Sequence, residues 1–196
     1  HARRAAFRRW TSEYIRETSF CVTRTNLPRD LSDSYDFFVV GSDQVWNPLF
    51  RNGFEVDFLT FAPPQKRIAY AASFGVNHIP IEYIDAYTRW LSEMHFLSVR
   101  EEAGARIIAT LTGRDDALVL LDPTLMLPKE KWLRLARSAS AKPQRGYLLT
   151  YTLGKVSKER KALIHRLADD HGLEIVNMAC NRDKERFVAD PSEFID

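Results

Sequence analysis

The chain has 196 residues, 45% of them hydrophobic, 28% charged and 12% aromatic, with a formal net charge of +2. This is enough for one ordinary domain or two small ones around a packed core, and it excludes extended disorder, while the near-balanced charge gives no argument for nucleic acid. No run approaches the ~18 apolar residues of a membrane span, and Cys21 and Cys180 stand far apart without CxxC or metal-ligand spacing, as for reduced thiols in a cytosolic protein.

Residues 2–18 place Phe7, Trp10 and Tyr14 at helical spacing, with Arg3, Arg4, Arg8 and Arg9 around them. Such a cluster reads as a solvated helix face before it reads as an RNA or membrane surface. HARRAAFRRW looks like mid-helix and His1 is not a natural start, so a cut N-terminus and a helix without its neighbours are expected. Residues 20–34, with Pro28, read as loop. Four short apolar runs follow, at 37–40, 68–72, 96–99 and 117–121, each ended by a breaker or a polar residue. Between them lie helical stretches, one over 80–93 with Pro80 near its first turn and one over 101–111 with Gly113 as its stop. Alternation of strand and helix means parallel pairing through crossovers. Runs that are apolar throughout predict strands covered on both faces.

The pattern restarts after Pro128. A helix is expected over 129–138, a strand over 147–151, a helix over 156–171 with Leu163, Ile164, Leu167 and Ala168 inward, and a strand over 174–178. A last helix begins after Asp190-Pro191. Two strands make a small sheet, so a cut C-terminus is also expected. The division is residues 1–125, a Rossmann-like half lacking its start, and residues 126–196, the beginning of a second.

Ligands of open parallel sheets collect beyond the carboxyl ends of strands, where backbone N–H groups and helix N-termini suit anions. In Gly41-Ser42-Asp43-Gln44, Gly41 permits a sharp turn, Ser42 or Asp43 can cap, and Gln44 and Asn47 suit sugar hydroxyls. Trp46 is either a stacking face or core. Ser73-Phe74-Gly75 is a plain turn or a source of one hydroxyl and free N–H groups. Arg100 is a fork for phosphate or carboxylate, or the partner of Glu101, Glu102 or Asp122. Asp122-Pro123-Thr124 is a hinge, with Asp122 as general base the minority reading. Of the histidines His1, His78, His95, His165 and His171, only His78 lies near a strand end. No spacing suggests zinc, and no GxGxxG, P-loop or GxSxG is present.

YDFFVVGSDQVWNP, then KRIAYAASFG, FLSVRE and VLLDPTLML with Trp132 downstream, resemble the polysaccharide pyruvyl transferase family over about residues 35–133. The resemblance implies an α/β fold of Rossmann-like parallel sheets in a GT-B-like two-domain arrangement, the second domain incomplete here. It implies transfer of an enolpyruvyl-derived unit from phosphoenolpyruvate, as donor substrate and without a cofactor or metal, onto a sugar of a surface polysaccharide. Arg100 is the implied donor-anion ligand, helped by Ser73 and Gly75, with Gly41, Ser42, Asp43 and Gln44 toward the saccharide acceptor. The family's Ser-Phe-His-Gly, whose histidine is the implied general acid, has no counterpart up to Asp196, so the catalytic residue is unknown and these 196 residues are expected to be inactive alone. The implied location is cytoplasmic, free or at the inner face of the membrane beside a lipid-linked saccharide, with no nucleic-acid partner. The rivals are a nucleotide-sugar glycosyltransferase on the same fold and a non-catalytic polysaccharide-binding domain.

Overall fold

The computed structural model describes residues 2–23, 25–26, 29–51, 53–137, 143, 145–152, 154–177 and 191–194. In chain order the helices and strands are α1 (Ala2–Tyr14), β1 (Phe38–Val40), α2 (Pro48–Arg51), β2 (Arg67–Ala69), α3 (Ile84–Ser92), β3 (Ser98–Val99), α4 (Glu102–Thr112), β4 (Leu118–Val119), α5 (Lys129–Leu135), β5 (Tyr147–Thr150), α6 (Lys158–Asp170), β6 (Glu174–Asn177) and α7 (Pro191–Phe194). The chain forms two compact units, Thr18–Pro128 and the pairing of His1–Glu17 with Lys129–Asp196. Cys180 lies outside the described residues.

In Thr18–Pro128, β1 pairs parallel with β2, Val39 opposite Ile68, and β3 pairs parallel with β4, Val99 opposite Val119. Parallel bridges Ile68–Phe96 and Ala72–Val99 join the two pairs, so the spatial order is β1-β2-β3-β4. Stepping from Ile68 to Ala72 takes one residue more than stepping from Phe96 to Val99, and the surplus is absorbed at Ala71, whose φ is 48°. The Ser98 hydroxyl sits under this bulge, accepting from the Ala71 N–H at 2.9 Å and donating to the Ala69 carbonyl at 2.8 Å.

The core lies on one side of these strands. Trp46 stacks on Phe58 with centroids 5.2 Å apart and planes 2° from parallel, and Phe58 meets Tyr87 and Trp90 at 4.9 Å each. Both polar handles are satisfied: the Trp46 indole N–H donates to the Asp57 carbonyl and the Tyr87 hydroxyl to the Trp46 carbonyl. Burial of the Tyr87 phenol, with Asp57 and Tyr83 nearby, pushes its pKa far above the ordinary value. Leu91, Ile107 and Ile108 bring α3 and α4 onto this cluster, and α4 stops at Gly113 in the left-handed region, where the sequence placed its end.

The other face corrects the expectation of strands covered on both sides. Val39, Phe96 and Leu118 are exposed. The strand order explains this, since right-handed crossovers that step one way along a sheet deposit their helices on one face.

In the second unit, β5 and β6 pair in parallel from Tyr147–Glu174 to Thr150–Asn177. Ser157 caps α6 by accepting from the Arg160 N–H. Only Ala168 of the four inward-predicted α6 residues is fully buried, and Leu163 and Leu167 are exposed, because a two-stranded ribbon covers a narrow strip of helix. Helix α1 does have neighbours: it packs on α7, buries Ala6, and its Glu13 accepts from Arg137 at 2.9 Å. Among the described residues no helix is long and apolar enough to cross a membrane.

Replacing Ser98 by Ala removes the partner of a buried N–H at the bulge. The expected loss is about 1–3 kcal/mol of unfolding free energy in urea titration, and an unchanged midpoint would contradict the role given to the hydroxyl.

Candidate functional site

Three strand ends of the Thr18–Pro128 unit converge through side chains. After β1 the chain turns at Gly41, whose φ of 150° suits glycine and whose added Cβ would collide with the Tyr70 carbonyl of the neighbouring strand. The turn delivers Ser42 and Asp43. Arg100 directly follows β3, and Asp122 follows β4. One Arg100 amino group donates to Asp122 Oδ2 at 2.9 Å and the other to Asp43 Oδ1 at 3.1 Å. The Ser42 hydroxyl donates to the same Asp122 Oδ2 at 2.9 Å.

The two carboxylates are held differently. Asp122 caps the 3-10 turn Pro123–Met126, its Oδ1 accepting from the Thr124 N–H at 3.0 Å and the Thr124 hydroxyl at 2.7 Å. With Arg100 and Ser42 it receives four donors, and its side chain is 21% exposed. The Thr124 N–H and hydroxyl, then Arg100 and Ser42, hold the Asp122 carboxyl well below the usual carboxylate range. These four donors stabilise Asp122 as the anion and fit it to align Arg100. Asp43 is 85% exposed, with φ of 43°, and among the described residues its carboxylate bonds Arg100 alone. Burial works against the Arg100 charge, but the hydrogen bonds and charges of Asp122 and Asp43 more than offset it and raise its pKa. The Arg100 side chain is 30% exposed, on the same rim as the Gly41 turn.

Of the sequence candidates, Gly41, Ser42, Asp43 and Arg100 come together, joined by Asp122. Arg100 pairs with Asp122 and Asp43 rather than with Glu101 or Glu102. Glu101 clamps the second turn instead, accepting from the Ser73 hydroxyl and the Phe74 N–H at 3.0 Å each. The Ser73 N–H goes to the Asp43 carbonyl at 2.8 Å and the Gly75 N–H to the Ser73 hydroxyl at 3.1 Å. The expectation of free N–H groups in Ser73-Phe74-Gly75 is therefore corrected: the turn closes on itself. Gly75 is needed there, with φ of 62° and Gln44 and Asn47 where a Cβ would be.

Gln44 is half-buried, and its Oε1 accepts from Asn47 at 2.6 Å, while Asn47 accepts from the Leu49 N–H. Buried Trp46 is core, not a stacking face for sugar. His78 is exposed in its loop. Among the described residues no cluster of three His, Cys, Asp or Glu side chains is placed to hold a metal ion. Sequence reasoning missed the Glu101 clamp, although a carboxylate directly after a strand-end arginine was the signal for it.

Two substitutions separate the carboxylates. Asp122→Ala, which removes a cap and an arginine partner, should cost about 1–3 kcal/mol, whereas exposed Asp43→Asn should stay within about 0.5 kcal/mol. Because folding depresses the Asp122 pKa, its stabilisation is complete above the unfolded value of about 3.9 and is lost as the pH falls below it. Asp122→Asn should flatten the acid limb of the stability–pH curve measured by chemical denaturation.

Comparison with known proteins places the chain in a family. The family model described as Polysaccharide pyruvyl transferase matches residues 2–195. A search of curated proteins found no match, and a search of solved structures found none. With nearly its whole length matched, the chain belongs to the polysaccharide pyruvyl transferase family.

Proposed function

We propose that the protein moves a pyruvyl unit from phosphoenolpyruvate onto a sugar of a surface polysaccharide, and that Arg100 holds the donor. The observation that carries this is the Arg100 guanidinium, partly exposed at a carboxyl edge and aligned by Asp122. Phosphoenolpyruvate is a small trianion whose phosphate and carboxylate each match a planar fork of N–H donors. The N-terminus of α4 begins two residues later and adds positive potential.

In this reading Asp122 and Ser42 fix the fork. Glu101 sets the Ser73-Phe74-Gly75 turn beside it, so that Ser73 and Gly75 shape the donor's surroundings. Asp43 and Gln44 lie on the acceptor side, where a carboxylate and an amide suit sugar hydroxyls. A GT-B-like pairing of two Rossmann-like halves is the arrangement proposed with this reading. Work at the inner face of the membrane on a lipid-linked saccharide fits a chain whose described helices include none that could cross a bilayer.

Thermal and urea unfolding with added ligand test the donor. Phosphoenolpyruvate at 100 times its Kd should add about 2.7 kcal/mol, and Arg100→Ala should abolish the gain. Stabilisation by UDP or GDP instead would assign a nucleotide-sugar glycosyltransferase. Transfer onto a galactoside or mannoside acceptor, read as ketal formation, checks the reaction itself.

A further inference from the structure

We propose that Asp43 is an exchangeable counter-carboxylate: it occupies the donor-anion position on Arg100 and leaves when phosphoenolpyruvate arrives. This rests on the reading of Arg100 as donor ligand.

The two partners of Arg100 are unequal. Asp122 is shielded, capped and bonded by four donors. Asp43 is 85% exposed and reaches one Arg100 amino group at 3.1 Å. Its oxygen sits where a carboxylate or phosphate oxygen of a ligand would sit. The Asp43 backbone is anchored independently, its carbonyl accepting from the Ser73 N–H at 2.8 Å, so the side chain can rotate away without moving the turn.

Charge makes departure necessary. Asp122 already balances Arg100, and Glu101 adds a further anion next to it in the chain. A trianion arriving beside an undisplaced Asp43 would meet like charge at contact distance. Departure is cheap, because an ion pair this exposed is weak in water. Once released, Asp43 presents a free carboxylate toward the acceptor side, so its contact with Arg100 and its place beside the sugar are two states of one residue.

The test is calorimetric titration of phosphoenolpyruvate into the wild-type chain and the variants Asp43→Asn, Asp43→Ala and Arg100→Ala, each first checked for folding by circular dichroism. Asparagine tolerates the positive φ of this position and keeps a neutral hydrogen bond to Arg100, whereas alanine leaves the fork open. Displacement therefore predicts affinities rising from wild type to Asp43→Asn to Asp43→Ala, about two- to fivefold overall at low salt, with the gain shrinking as salt rises. Equal gains in both variants would reduce Asp43 to background charge and overturn the proposal, as would no gain. If Arg100→Ala abolishes binding while the Asp43 variants gain nothing, only the exchange fails. If Arg100→Ala binds like wild type, or no protein binds, the donor assignment fails and the exchange with it.

Discussion

The ion-paired fork at Arg100 is the interaction on which the carboxyl edge of this fold depends. It ties the ends of β1, β3 and β4, which are far apart in sequence, through a single guanidinium. Parallel strands this short, two to three residues each, have few ladder hydrogen bonds to set their relative positions. Side-chain links across their ends supply what the ladder cannot. The fork's own orientation is delegated to Asp122, which is in turn held by the N–H and hydroxyl of Thr124 and by the Ser42 hydroxyl. Each layer positions the next, and the outermost partner, Asp43, is the one left loose.

The second turn is built by the same economy. Glu101 spends its carboxylate on Ser73 and Phe74, and Ser98 spends its hydroxyl on the bulge at Ala71. Hydrogen bonds of this kind contribute little net stability when made and cost much when broken inside a protein. Their effect is to select one path for the chain between β2 and α3, which places Gly75 over Gln44 and Asn47.

Much of the first unit was legible in the sequence because its signals are local. Four apolar runs with breakers marked the strands, and Gly113 marked the end of α4. The strand-end rule singles out Arg100, Asp43 and Ser42 from sequence alone. What was not legible depends on partners distant in the chain. Nothing local distinguishes a Trp46 that faces a ligand from one stacked on Phe58. Nothing local tells Arg100 to choose Asp122 and Asp43 over the adjacent Glu101. An apolar run does not say whether both faces are covered, and Val39, Phe96 and Leu118 are exposed because the strand order sends its crossovers to one side. In α6, Leu163 and Leu167 followed the helical period, yet the two-stranded ribbon beneath is too narrow to hide them.

The turn that presents Ser42 and Asp43 runs directly into Trp46. That residue donates its backbone N–H to Ser73 and its indole N–H to Asp57, and it receives the Tyr87 hydroxyl at its carbonyl. A ligand-facing loop is ordinarily a segment that can be lengthened, shortened or reshuffled with little penalty to the scaffold. Here only two residues, Gln44 and Val45, separate a solvent-facing carboxylate from the most buried indole of the unit, so an insertion at the rim would pull the anchor out of its aromatic nest. Variation in length is thereby steered away from this turn and onto loops that carry no such anchor.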